Sequence, residues 1–340
     1  MIPRRIALAL PFLTLPFLAR PAFAAERMAV RLDWSTWGSQ APFHLALARG
    51  WYAREGLEVT IEDGNGSVAT VQLVGNGQFD VGHASLAPMM IARGRGMPVR
   101  AIASFARQND IGLMLPRDRM PAGTGGAAIA ALRGRSMAFT PGSLETPFLD
   151  RFLAAGGLRR TDVELISLDA AAKVGTYLAG RADGVFSSIP FAVPLVEAQR
   201  PSGAVRFADH GLVFPSFGLF ATERAIAARP AALRRFASIT AAAWTAIVGG
   251  AADEAIRAMQ AARPQARLNP VVLRAQIDSF ATFLRTEATA GQPIGMMAEA
   301  DWAAGVENLA GAGQIERRDA PTAYFTNELL DPALIGRLAA

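Results

Sequence analysis

The feature that most constrains this chain is an apolar period that switches repeatedly between two and about three and a half. RMAVRLDW (Arg27 to Trp34) alternates, with Val30, Leu32 and Trp34 on one face, as a half-buried strand does. APFHLALAR follows at helical spacing, with Pro42 in its first turn and Gly50 as its stop. LEVTIE (Leu57 to Glu62) reads as a second strand, DGNGS as a loop, and SVATVQLVGNG as a helix that Gly75 and Gly77 end. FDVGHAS reads as a short strand broken at Gly82, SLAPMMIARGRG as a helix and PVRAIASF as a strand. A second round begins near residue 111. Its strands IGLMLP, SMAFT, VELISL, DGVFSS and AVRFAD are interleaved with helical PGSLETPFLDRFLAAGG, DAAAKVGTYLAG and IPFAVPLVEAQR. This beat predicts an α/β fold in which each unit is a parallel sheet with helices on both faces.

Beyond Phe214 the texture changes. PSFGLFAT reads as one more strand and the remainder as helices over 251–262, 270–288, 298–310 and 327–338. RPAALRRFASITAAAWTAIVGG places Leu233, Phe236, Thr240, Trp244 and Ile247 on one side, so Trp244 reads as core. One topology fits the order. Residues 26–107 and 211–340 form a discontinuous lobe I, and 108–210 form lobe II. The chain crosses between them twice, and a hinge there encloses a cleft at the carboxyl ends of the strands.

Residues 1–25 stand apart. Arg4, Arg5 and Arg20 occur with no acid, around the apolar run Ile6 to Leu18, and Ala22-Phe23-Ala24 closes the segment. These are the parts of a secretory signal peptide, and the run is too short to span a bilayer. Its removal lowers the net charge from +5 to +2, which leaves no basic patch for nucleic acid. The chain has no cysteine, which excludes a disulfide, a thiolate metal site, a cysteine nucleophile and a lipid anchor. His44, His83 and His210 lack the spacing of a metal site. No G-x-S-x-G elbow is present. The expectation is a monomer, free in the periplasm, with no cofactor and no metal.

The blocks WSTWGSQAPFHLALARGWYAREGLEVTIE and GSVATVQLVGNGQFDVGHASLAPMMIARGRGMPVRAIASF resemble the opening of one family. They are similar to periplasmic solute-binding proteins of the nitrate, sulfonate, taurine and thiamin-pyrimidine-precursor group. GRADGVFSSIPF and FPSFGLFATERAIAARPAALRRF resemble later blocks of the same group, so the likeness runs from about Met28 to beyond Trp302. The resemblance implies a type II periplasmic-binding-protein fold that hands a small-molecule solute to the membrane permease of an ABC importer. It implies no enzyme. The alternatives are an enzyme of the same fold in pyrimidine or aromatic precursor metabolism, and a module that presents ligand to a sensor. Trp34 and Trp37, on either side of Ser35, are not general to the group. They favour an organic heterocycle, sulfonate or carboxylate over nitrate or sulfate-like ions.

Candidate ligand contacts follow from position. Trp34 and Trp37 lie where the first strand meets its loop, and either stack on a solute or pack in the core. Trp51 reads as packing. His44 lies near a helix start, where anions are favoured, and His83 and Ser85 follow the FDVG strand. Ser67 closes the Gly64-Asn65-Gly66 loop, which can cradle an oxyanion by backbone N–H groups. Thr140, Ser143 and Glu145 form the turn taken as that loop's counterpart in the other lobe, with Glu145 set to meet an amine or ring N–H. Ser187 and Phe217 complete the set. N-terminal sequencing of exported protein should begin at Ala25 or Glu26; an uncleaved chain would contradict the leader.

Overall fold

The structure is a computed structural model that describes residues 25–340 except Thr124 and Arg317. The expected leader therefore lies outside the described residues. Ten strands are present among these: β1 Glu26–Leu32, β2 Leu57–Glu62, β3 Val81–Ser85, β4 Val99–Ser104, β5 Ile111–Pro116, β6 Ser136–Phe139, β7 Glu164–Ser167, β8 Gly184–Ser188, β9 Ser202–Arg206 and β10 Phe217–Thr222. They form two sheets, ordered β2-β1-β3-β10-β4 and β7-β6-β8-β5-β9.

The two sheets share one plan. In each, three parallel strands lie beside one strand that runs antiparallel to its neighbours, β10 in the first and β5 in the second. Both antiparallel strands follow directly on a passage of the chain from one sheet to the other. The plan equates β6 with β1 and β7 with β2. The turn after β6, which holds Thr140, Ser143 and Glu145, is thus the counterpart of the loop after β1, not of the Gly64 loop after β2. Strand order comes from pairing between distant segments, which alternation does not encode.

The core is continuous in part. One apolar cluster joins the first sheet to helices Ala41–Ala48, Pro230–Ala246 and Pro270–Ala281, with Trp244 fully buried. A second runs from Met89 and Phe220 of the first unit through Phe214 to Phe152 and Phe207 of the second, and takes in Trp302. A third, smaller cluster is confined to the second sheet and its helices, around Tyr177 and Val185. No helix among the described residues is long and apolar enough to cross a membrane.

Three local expectations are corrected. Gly82 does not break its strand but is the second residue of β3, opposite Phe220. A Cβ there would meet the Phe220 ring at 2.3 Å, so glycine is needed for close approach. The helix expected from residue 270 ends at Ala281, and the last helix begins only at Pro332. There Asp331 caps the Ala333 and Leu334 N–H groups, an Asp-Pro start signal. Gly82→Ala should cost about 1–3 kcal/mol by overpacking, read by urea unfolding. Adding Phe220→Leu should recover part of the loss; no recovery would place the strain elsewhere.

Candidate functional site

β1 ends at Leu32 because the carbonyls beyond it are taken by the next βα loop. Thr70 Oγ1 donates to the Leu32 carbonyl at 2.8 Å, Gly66 N–H to that of Asp33 at 2.6 Å and Gly64 N–H to that of Trp34 at 3.1 Å. A Cβ on Gly64 would lie 1.9 Å from the Leu32 oxygen, which only glycine avoids. The Gly64 and Gly66 N–H groups are thereby spent inside the protein and cannot cradle an oxyanion. Gln40 fixes the loop from the other side. Its amide donates to the Trp34 and Ser35 carbonyls at 3.3 and 3.4 Å and accepts from the Trp37 N–H at 3.3 Å.

This loop forms one wall of a cavity between the two sheets, with about 490 Å³ of empty space, its mouth included. From the first unit come Asp33, Trp34, Trp37, Gly66, Ser67 and Phe217, and from the second Ser143, Leu144, Lys173, Val174, Ser187, Ser188 and Phe191. The rings meet edge to face: Trp37 lies 5.5 Å from Phe191 and 5.8 Å from both Phe217 and Phe280, and Trp34 lies 6.4 Å from Phe191. Trp37 is buried among them, whereas Trp34 is half-buried. Gln276 ties the walls together, accepting from the Gly38 N–H at 3.0 Å and donating to the Phe191 carbonyl at 3.0 Å.

Of the expected contacts, Trp34, Trp37, Ser67, Ser143, Ser187 and Phe217 converge on this cavity. His44, His83, Ser85, Thr140 and Glu145 do not line it. His83 lies in the core beside Phe43, Phe105 and Phe217, because its strand is the middle of the sheet. Its pKa is pushed down to about 3 by burial. His44 is lowered to about 4 by burial and then by the Arg263 charge, with Asp63 opposing. Both imidazoles are therefore neutral at neutral pH. Ser85 does not cap its helix with its hydroxyl; its N–H donates to Ser67 Oγ at 3.1 Å. Thr140 N–H donates to Glu145 Oε1 at 3.2 Å, and Glu145 pairs with Lys173 at 2.9 Å beneath the surface. Trp51 is buried beside Arg49, as packing requires.

Six lining residues escaped the sequence reading: Asp33, Leu144, Lys173, Val174, Ser188 and Phe191. Lys173 carried a signal, as the chain's single lysine. Asp33 stood next to Trp34, at the end of an expected strand. Phe191 followed the DGVFSS strand and gave no signal beyond hydrophobicity. Asp33 is buried, and its pKa is raised to about 8, chiefly by desolvation and further by the Asp110 charge. Backbone, Gln40 and Trp37 hydrogen bonds pull the other way. Asp110 is raised as well by burial, against the donors Ser188 and Ser216. At neutral pH the Asp33 carboxyl in the cavity lining thus keeps its proton, able both to donate and to accept a hydrogen bond.

Two α/β units of this plan, with a cleft between them, define a type II periplasmic-binding-protein fold. The NMT1/THI5 like family is matched over residues 37–250, and the chain belongs to that family. A solved structure from Bordetella bronchiseptica RB50 is similar in fold, with a TM-score of 0.68, 23% identity and coverage of 93% of this chain and 97% of that one. So is the alkanesulfonate-binding protein from Xanthomonas axonopodis pv. citri bound to MOPS, with a TM-score of 0.65, 16% identity and coverage of 89% and 99%. Among curated proteins, 4-amino-5-hydroxymethyl-2-methylpyrimidine phosphate synthase of Uromyces fabae is 26% identical over 82 residues, 24% of each chain. The chain thus spans about a quarter of the length of the first such relatives.

The pKa pattern has a stability consequence with a definite sign. Between about pH 4 and 8 the folded chain holds the Asp33 proton that the unfolded chain has released, so stability falls as pH rises through that window. His44 and His83 act oppositely, but only below their unfolded value of 6.5. Urea unfolding should therefore show stability falling from about pH 6.5 to 8, and Asp33→Asn should flatten most of that fall. An unchanged slope in the variant would remove Asp33 as its source.

Proposed function

We propose that this protein is the extracytoplasmic solute-binding component of an ABC-type importer. A leader over 1–25 exports it to the periplasm. Lobe I, residues 26–107 and 211–340, and lobe II, residues 108–210, close on a small organic solute, and the closed form engages the membrane permease. The observation that carries this reading is the cavity itself. Its walls come from both sheets at the carboxyl ends of β1, β6 and β8, where ligands of open α/β sheets sit. Its lining is aromatic around a few polar groups, the make-up of a capture site. The fold it shares with an alkanesulfonate-binding protein supports the same class.

The solute has a planar or apolar body that Trp34 and Phe191 flank, and a polar head that reaches Asp33 or Lys173. Trp34, Trp37, Ser67, Ser143, Ser187 and Phe217 are its proposed contacts, joined by Asp33, Lys173 and Phe191. A ligand gains closure only by its extra affinity for the closed form, and residues supplied by both walls provide that difference. The synthase names among the partial relatives favour a heterocycle over a simple oxyanion as the body.

Thermal unfolding of the mature protein with sulfonates, heterocycles, aromatic acids and simple oxyanions tests this. A bound compound at 100 times its Kd adds about 2.7 kcal/mol of stability. Trp34→Ala should weaken the best compound by roughly two- to tenfold in calorimetry. Unchanged affinity, or turnover of the compound, would contradict the reading.

A further inference from the structure

The single lysine of the chain is built into the cavity wall with its counter-charge behind it. Lys173 Nζ lies 2.9 Å from Glu145 Oε1, and the two side chains are 6% and 0% exposed. Lys173 lines the cavity, whereas Glu145 does not. Thr140 N–H holds the same carboxylate oxygen at 3.2 Å. The lysine in the wall therefore has its charge already matched by a residue outside the lining, and keeps donors to spare. The other ionisable lining residue is Asp33, with Asp110 beside it, and both are acids. Among the described residues no arginine belongs to the lining.

We propose that Glu145 sets the charge selectivity of the cleft: by pairing with Lys173 it leaves the wall without free positive charge, so the site selects uncharged solutes over anions of the same shape. The inference rests on the reading of this cavity as the solute site. Its physical basis is desolvation. An anion that leaves water for this cavity meets no uncompensated cation, whereas an uncharged acceptor still gains a hydrogen bond from Lys173 without losing the hydration of a charge. Removing the Glu145 charge while keeping its shape frees Lys173 to act as an anion partner.

The test uses nicotinamide and nicotinate, flat rings of nearly one shape that differ by one charge, in calorimetry on the mature protein. Wild type should prefer nicotinamide, and Glu145→Gln should shift the ratio toward nicotinate by roughly tenfold or more. Glu145→Gln/Lys173→Met, which removes both charges together, should show no shift toward nicotinate, although both compounds bind more weakly without the Lys173 donor. A small anion provides an arm that needs no ring: methanesulfonate, against matched chloride, should raise the thermal midpoint of Glu145→Gln but not of wild type. Wild type that prefers nicotinate or gains from methanesulfonate would overturn the proposal whether or not the variant folds. An unchanged ratio or an unmoved midpoint in a folded variant would also overturn it. Failure of the cleft reading is separate: nicotinamide binding that Trp34→Ala leaves untouched would show a site elsewhere.

Discussion

A buried carboxyl holds the two crossings of this chain together, and the cleft depends on it. Asp110 lies on the first passage from one sheet to the other, just before β5. It accepts hydrogen bonds from Ser216, on the return passage, and from Ser188, at the end of β8. Its own carbonyl takes the Ile189 N–H at 2.8 Å, and the Ser216 carbonyl takes that of Leu86 at 2.5 Å. Both passages, the second sheet and the first are thus joined at one point. A buried acid with fixed donors is costly to disturb, since each lost partner strands a polar group without water. The apolar cluster around Phe214 backs this point and keeps the walls of the cavity in register.

From that fixed point the two sheets present equivalent ends to each other. The loop after β1 brings Asp33 and Trp34, the turn after β6 brings Ser143 and Leu144, and the end of β8 brings Ser187. Equivalent positions carry different chemistry. One wall sets Trp34, Trp37 and Phe217 beside an acid that keeps its proton, and the other mixes Phe191, Leu144 and Val174 with serine hydroxyls and an ion pair. Each wall thus offers both apolar surface and hydrogen-bonding groups, the make-up that gives a pocket orientation as well as affinity.

Much of the fold was legible because local periodicity and stop signals decide strands and helices one at a time. Val30 and Leu32, placed on one strand face by alternation, are both fully buried in β1, and Trp244 is core as its helical spacing required. The site was legible only where it follows from strand ends. Trp34, Trp37, Ser67, Ser143, Ser187 and Phe217 reach the cavity for that reason. His83 looked like a ligand contact because it follows a strand signature, but Gly82 continues β3 and carries the histidine into the core. Lys173 was obscured by equating the turn after β6 with the wrong loop of the other unit. Once the sheet order is known, the helix that carries Lys173 stands opposite the one that Ser67 opens, and its place in the wall follows.

The central claim is that an unreacted solute is held between the two sheets. The most direct measurement is a crystal structure of the mature protein with the compound that stabilises it most. The compound should lie intact against Trp34 and Phe191, within hydrogen-bonding reach of Asp33 or Lys173. Density for it outside this cavity, or for a chemically altered product within it, would contradict the account.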